Sequence, residues 1–424
     1  MSKKKILEDV KEYVEKEFPK KRFIAGKTII PASGASISSD DISAIVESAL
    51  QGWFTDFKFC EKFRQEIFKV TGKKYVVLTN SGSSASLLAI TACLDKYEWG
   101  DCVITTAVGF PTTVAPIIQN SMTPIFIDID PSTLSPSRDQ YEEVLDRNWE
   151  GIAGSIFAHT LGFPFRTTEF LIGEGKKFLI SDTCDALGIP IDYKGDAITL
   201  SFFPAHQITT GEGGAVCTND EELFELIRSY GSWGRDCYCK PGQSNTCGKR
   251  FGHEFANMPK GYDHKYTFSR FGYNLKMTEM QAALGLSQIK RLPEFVKARR
   301  FNYDRLAIGL PKKASEYFDL IEVPEWSNPS PFGFPMVRKS GSPFQLPEFI
   351  RHLELHKIST RRLFGGNLTR QPMFDHWGEV GQDLSGSDKL MNDLVWIGCH
   401  PGIDDEMMDY MLEIIESFFI ERGL

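Results

Sequence analysis

The sequence predicts an α/β fold built on a largely parallel sheet. Three observations carry this. Seven short apolar runs rich in β-branched residues lie between Tyr75 and Thr218. Helix-like segments separate several of them, and such alternation calls for helices covering a parallel sheet. The 424 residues are ample for a core that needs neither disulfide nor metal to fold, and suggest two to three domains at about 150 residues each.

Taken in order, residues 3–18 alternate charge with Ile6, Val10 and Val14 at helical spacing, which predicts a first helix. Ser38 or Ser39 can cap a second over Asp40–Gln51. A third runs from Phe59 to Thr71 and stops at Gly72. The seven strands are Tyr75–Leu78, Cys102–Thr106, Pro124–Ile129, Gly154–Ala158, Lys177–Ile180, Ile198–Phe203 and Gly214–Thr218. Between them lie helices over Ser84–Leu94, Thr113–Gln119 and Arg138–Leu145. The last two strands are too close for a helical crossover, so that pair is expected to be antiparallel or bent. Gly231–Tyr266 is rich in Gly, Cys and Lys and lacks periodicity; roughly 35 residues is too long for an idle connection in a compact domain. One long helix, Thr278–Tyr303, is expected next. Residues 304–424 have a second composition, with proline-rich strands, a helix near Pro347–Leu355 and a C-terminal helix from Asp404. The expected division is a large domain, 1–300, including the N-terminal helical arm and the loop 231–266, and a small α/β domain, 301–424.

Composition narrows the function. With 42% hydrophobic and 25% charged residues, disordered, collagen-like and coiled-coil classes are excluded. Acidic residues outnumber basic ones, 56 to 48, against a nucleic-acid partner. The uncharged run Cys102–Ile127 holds Pro111, Pro116 and Pro124 and reads as strands and a helix, not a membrane span. Met1-Ser2-Lys3-Lys4-Lys5 opens no signal peptide. A cytoplasmic protein without membrane contact is expected. Nine cysteines are too few for a secreted disulfide scaffold, and clustered cysteines in a reducing compartment more often bind metal or act chemically.

Three motifs carry chemistry. After the first strand, Ser81-Gly82-Ser83-Ser84-Ala85 opens a helix; small residues and free N–H groups there suit a phosphate, or simply a capped helix start. It is neither a Walker loop nor Gly-x-Gly-x-x-Gly. The fifth strand ends in Asp182. A carboxylate at that end points into a ligand crevice and can keep a pyridinium nitrogen protonated; read alone, it is equally a helix cap. The sixth strand delivers Ser201, and the run Ser201-Phe202-Phe203-Pro204-Ala205-His206 leads through Gly211-Glu212-Gly213-Gly214 into the seventh.

Together these motifs resemble the DegT/DnrJ/EryC1 sugar aminotransferase superfamily. The resemblance covers nearly the whole chain. It implies the aspartate-aminotransferase-like fold (PLP fold type I), a mixed seven-stranded sheet with a smaller C-terminal α/β domain. In that superfamily the third motif reads Ser-Phe-x-x-x-Lys, and the lysine links covalently to pyridoxal phosphate. Here His206 stands in its place, so a transaminase cycle is hard to close, whereas an imidazole remains a competent base near neutral pH. The resemblance further implies that Gly82, Ser83 and Ser201 hold the cofactor phosphate, Phe110 stacks on the ring and Asp182 pairs with its nitrogen. Asp185 occupies the place of a Gln or His near the ring hydroxyl. Asn274 matches a segment that reaches the phosphate of a neighbouring subunit, implying a homodimer. Phe110 as core and Asn274 as a turn residue are the bland readings.

The cysteines divide. Cys60, Cys93, Cys102, Cys217 and Cys399 sit in apolar patterns and read as buried thiols. Cys237-Tyr238-Cys239 is followed seven residues later by Cys247. Three thiolates are short of the four that a closed zinc or 2Fe–2S site usually takes, and Cys184, beside Asp182, is the best fourth. One branch of the superfamily, the CDP-4-keto-6-deoxyglucose 3-dehydrases, combines the histidine with such a loop. The runs Trp233–Gly242, Asn245–Phe251 and Gly366–Pro372 are closely similar to it. Cys184 lies slightly nearer to Cys237 than in that branch, as if Gly188–Asp196 were shortened.

This resemblance implies dehydration at C3 of a nucleotide-linked 4-keto-6-deoxyhexose. Pyridoxamine 5′-phosphate and a 2Fe–2S cluster would serve as cofactors, His206 as base, and an NAD(P)H-flavin iron–sulfur reductase as partner. Such sugars feed surface polysaccharide. Asn367 and Arg370, with Arg361 and Arg362, are candidate sugar–diphosphate contacts or ordinary solvated side chains. The alternatives are a cluster-free GDP-4-keto-6-deoxymannose-type dehydratase, a dTDP-sugar deoxygenase, and a non-catalytic zinc-stabilised homologue.

Overall fold

The computed structural model describes residues 1–19, 22–97, 100–148, 150–170, 177–189, 193–239, 242–255, 257–380 and 383–424. Three helices open the chain: α1 (Lys3–Glu17), α2 (Ser39–Ala49) and α3 (Lys58–Thr71). Ser38 caps α2 through a reciprocal pair of bonds with Asp41, and Gly72 ends α3 in the left-handed conformation at φ 68°.

All seven expected strands are present: β1 (Tyr75–Thr79), β2 (Cys102–Thr106), β3 (Thr123–Ile127), β4 (Ile152–Ala158), β5 (Phe178–Asp182), β6 (Ala197–Ser201) and β7 (Gly214–Thr218). Helices α4 (Gly82–Tyr97), α5 (Pro111–Gln119), α6 (Arg138–Asn148) and α7 (Glu221–Tyr230) accompany them. The order is β1-β7-β6-β5-β4-β2-β3. β7 pairs antiparallel with both β1 and β6, while the pairs from β6 across to β3 are parallel. Strands β2, β5, β6 and β7 are buried along their whole length, as a sheet covered on both faces requires. An eighth, two-residue strand, β11 (Glu379–Val380), joins beside β3 from the C-terminal region.

The single helix expected over Thr278–Tyr303 is two: α8 (Glu279–Ile289) and α9 (Leu292–Gly309). Pro293 lies in the first turn of α9; it has no N–H to continue the ladder, although the apolar spacing runs on across the break. The rest of the chain is α10 (Lys312–Tyr317), β8 (Phe318–Leu320), β9 (Phe334–Arg338), α11 (Leu346–Leu355), β10 (Arg361–Arg362), α12 (Ser385–Asp393), β12 (Leu394–Ile397) and α13 (Asp405–Ile420). It forms a second sheet of order β10-β12-β9-β8. Phe23, Ile30 and Ala32 of the N-terminal segment pack into the same apolar cluster as this sheet and α13. The parallel strands therefore end on one side of the large sheet, beneath the second unit, and there the candidate residues collect.

Candidate active site and cysteine loop

The phosphate end is built where β1 feeds α4. The first amides of a helix have no partner within it. A Cβ on Gly82 would lie 2.5 Å from Cβ of Ser201, at the end of β6, so only glycine permits this approach. Ser83 Oγ is exposed and donates to Thr112 Oγ1 at 2.9 Å. The cradle suits a phosphate: a close backbone, a helix N-terminus and two hydroxyls.

The ring end lies across α5. Phe110 caps that helix and is 54% exposed, so the reading of it as core is excluded. Its ring meets Phe364 edge-on at 6.2 Å; Phe364 meets Phe332 at 6.1 Å, and Phe332 meets the His206 imidazole at 5.4 Å. An aromatic wall thus runs from Phe110 to the candidate base. Asp182, at the end of β5, is 6% exposed. It accepts from Thr113 Oγ1 at 2.7 Å and from the Cys184 amide at 3.2 Å. The neighbours Thr112 and Thr113 thereby link the candidate phosphate cradle to Asp182.

His206 and Asp185 form a pair. Nδ1 of His206 lies 3.3 Å from Asp185 Oδ1, outside hydrogen-bond alignment and with no other partner. The other Asp185 oxygen accepts the Leu161 amide at 3.1 Å. Leu161 has φ 54°, a conformation a leucine seldom takes without cause. Asp185 therefore faces the imidazole in the position expected to face the ring hydroxyl. The sequence offered no sign of two further residues. Arg299, 1% exposed, donates to the carbonyls of Ala205 and His206, both at 3.3 Å, and to those of Pro331 and Phe332. Gln207 donates to the Asp185 and Ser330 carbonyls. They hold the turn that presents His206, but each sits in an ordinary amphipathic or loop context.

The distal candidates are placed unequally. Asn274 is exposed and accepts from Lys276. Asn367 is fully buried; its amide donates to Asp388 at 2.7 Å and its oxygen accepts from Thr369. Asn367 thus reaches a ligand only through its neighbours. Arg370 is exposed and grips Asp388 through two nitrogens, at 3.2 and 2.7 Å. Arg361 is exposed, and Arg362 donates to the Met391 carbonyl.

The five cysteines expected to be buried are so, and the other four are partly exposed. Cys184 faces Asp182, Asp185 and Thr199; burial first, then the two carboxylates, push its thiol well up. Cys237 and Cys239 touch. Partial burial opposes ionisation of Cys239, but hydrogen bonds from Thr246, Cys237 and the Cys247 amide bring it down to about 7. Cys247 Sγ accepts the Lys249 amide at 3.3 Å, and its nearest metal-suited neighbours are His253 and His264. The loop thiols fit a metal group. Burial and the neighbouring carboxylates keep the free Cys184 thiol protonated. Residues 240–241 and 256 of the loop, and 190–192 of the segment read as shortened, lie outside the described residues.

Mixed sheets of this order, with ligand groups at the carboxyl ends of their strands, belong to fold-type-I pyridoxal-phosphate enzymes, and the site has the parts that cofactor needs. Comparison with known proteins narrows this: the chain belongs to the DegT/DnrJ/EryC1/StrS aminotransferase family, which matches residues 35–416. It is 43% identical to the lipopolysaccharide biosynthesis protein RfbH of Salmonella typhimurium, over 97% of this chain and 96% of that one. It is 41% identical to the dTDP-4-dehydro-2,6-dideoxy-D-glucose 3-dehydratase of Saccharopolyspora spinosa, over 98% and 92%. Among solved structures, the Escherichia coli GDP-4-keto-6-deoxy-D-mannose-3-dehydratase with bound hydrated PLP superposes with a TM-score of 0.80. That match has 25% identity and covers 92% of this chain and all of that one.

Proposed function

We propose that this enzyme removes the C3 hydroxyl of a nucleotide-linked 4-keto-6-deoxyhexose with pyridoxamine phosphate as cofactor. The observation that carries the reading is His206, set by Asp185 at the turn after β6 where the superfamily carries its lysine. When bound, the cofactor supplies an electron sink for cleavage next to the sugar ketone.

The chain's own residues do the rest. Gly82, Ser83 and Ser201 seat the phosphate, Phe110 covers one ring face, and Asp182 holds the ring nitrogen protonated. His206 takes and returns a proton through its imidazole, while Asp185 fixes its orientation and offsets the charge it gains. Arg299 keeps the His206 turn in place. The hydroxyl leaves as water; two electrons and two protons then complete the 3-deoxy sugar.

The finer reading is a CDP-linked substrate. It includes a 2Fe–2S group on Cys184, Cys237, Cys239 and Cys247. An NAD(P)H-flavin reductase supplies electrons one at a time. The similarity of the loop runs to the CDP-sugar branch and the thiolate-stabilising contacts of Cys239 and Cys247 favour it. A dTDP-linked substrate is the second reading, favoured by the 41% identity to the Saccharopolyspora enzyme. A homodimer is supported by the exposure of Asn274 beside Phe271, which is fully exposed. We place the enzyme in the cytoplasm; no described helix is long and apolar enough to cross a membrane.

The test is a panel of CDP-, dTDP- and GDP-linked 4-keto-6-deoxyhexoses, incubated with pyridoxamine phosphate with and without a reductase and NADH. We expect loss of the C3 oxygen from the CDP sugar, abolished in His206→Asn. Amino transfer to C4, or full turnover by His206→Asn, would refute the reading.

A further inference from the structure

The four cysteines proposed as cluster ligands stand in two places. β1 is the last strand at one end of the large sheet. Val77 of β1 packs with α7 on one face, and Val76 and Leu78 with α3 on the other. Residues of β1, α3 and α7 line one cleft together with Cys237 and Cys239, so these thiols lie along the open edge of the sheet. Cys184 follows β5, three strands in from β1, and faces Asp182, Asp185 and Thr199. At about 4.8 Å per step, β1 and β5 are already about 14 Å apart. A 2Fe–2S group holds four thiolates around two adjacent irons and spans no such distance. The loop is also pinned where it stands. Its base is a two-stranded arm: the Trp233 amide donates to the Tyr273 carbonyl at 2.7 Å, the Asp236 amide to that of Thr267 at 3.1 Å, and the Ser269 amide to that of Gly234 at 3.0 Å. A Cβ on Gly234 would stand 1.9 Å from the Arg270 carbonyl oxygen, and one on Gly272 2.1 Å from the Gly234 nitrogen, so only glycines let the arm close. Arg228 of α7 donates to the Tyr238 carbonyl at 2.7 Å and holds Cys237–Cys239 to the edge. Beyond it Cys239 Sγ lies 3.0 Å from Thr246 Oγ1, beside Cys237 and the Cys247 amide. The three loop thiols are thus gathered without Cys184.

We propose that each iron–sulfur group is shared between two copies of this chain, with Cys237, Cys239 and Cys247 from one and the fourth ligand from the partner subunit's Cys184. The sharing rests on the cluster assigned above, and adds that neither chain completes the site alone. Two surfaces fit it. Cys184 is partly open. Along the arm Trp233, Tyr238, Phe268 and Phe271 are exposed, and aromatic side chains left open in this way mark a surface that another chain covers. In a two-fold dimer the same contact occurs twice and gives two equivalent groups. Electrons arriving at the loop of one subunit then serve the sugar held beside Asp182 of the other.

The experiment is complementation between Cys184→Ser and the double variant Cys237→Ser, Cys239→Ser, coexpressed with different affinity tags. The mixed dimer is isolated through both tags and reconstituted anaerobically with iron and sulfide. Each variant alone should hold no 2Fe–2S group. The mixed dimer should regain roughly half the iron, labile sulfide and reduced-state EPR signal of the parent, because one of its two sites pairs an intact loop with an intact Cys184. If all four ligands came from one chain, the mixed dimer would hold none. An empty mixed dimer beside a loaded parent overturns the sharing and leaves the cluster reading standing. Full loading of Cys184→Ser alone, or a loaded parent that is monomeric, does the same. A parent that takes up no iron and sulfide overturns both. A second measurement uses the unsubstituted, cluster-free protein. A short bismaleimide should join Cys184 to a loop thiol, with the linked peptides found in a band of dimer mass that Cys184→Ser does not form. The same link within a band of monomer mass would overturn the proposal.

Discussion

At the scale of single residues, the His206 imidazole is faced by one charged neighbour. Nδ1 of His206 has no partner but Asp185, so that carboxylate sets both orientation and local charge. Asp185→Asn should therefore lower kcat by roughly 10- to 100-fold, below the 10²–10⁴ a positioned base contributes, with KM little changed. Steady-state kinetics on the accepted nucleotide sugar measure this. His206→Lys restores the amine and should capture pyridoxal phosphate covalently, read as a mass increment after borohydride reduction, while losing dehydration. His206 was legible in the sequence because its flanking strand and glycines are local signals. Arg299 was not. Its guanidinium serves carbonyls from two distant segments, and no periodicity marks a helix position that faces a turn of another strand.

At the scale of elements, one side chain ties two helices. Glu279, 1% exposed in the first turn of α8, accepts from the amides of Phe57, Phe59 and Cys60 at 2.8–2.9 Å. It thus satisfies the start of α3, which has no side-chain cap of its own. Glu279→Ala should destabilise by about 3 kcal/mol, since it removes charged hydrogen bonds and leaves buried donors unpaired; urea unfolding of the two proteins checks it. Helix ends such as Ser38–Asp41 and Gly72 were readable because a cap lies within a few residues of what it caps. The cap on α3 comes from more than two hundred residues away.

At the scale of the whole molecule, the segment after α1 packs into the apolar cluster of the C-terminal sheet. His400 donates through Nε2 to the Pro31 carbonyl at 3.1 Å and accepts the Gly402 amide on Nδ1 at 3.2 Å. Burial, then the nearby Arg299, lower it to about 4. The unfolded imidazole near 6.5 binds protons more readily, so this contribution is complete above about pH 6.5 and is lost as the pH falls toward 4. Between pH 7 and pH 5 the parent should lose about 2 kcal/mol more than His400→Gln, measured by urea unfolding at both values.

The sequence by itself determined the seven strands, an antiparallel or bent last pair, and the separation of five buried cysteines from four candidate ligands. Apolar periodicity, β-branching and turn chemistry act over a few residues and leave their record there. Only the tertiary structure decided the break between α8 and α9, the strand β11 beside β3, the facing of His206 by Asp185, and the approach of Cys247 to two histidines. Each depends on what a distant segment places alongside. A spacing pattern identifies a thiol as a ligand, but the partner on its other side is chosen by the packing of the loop.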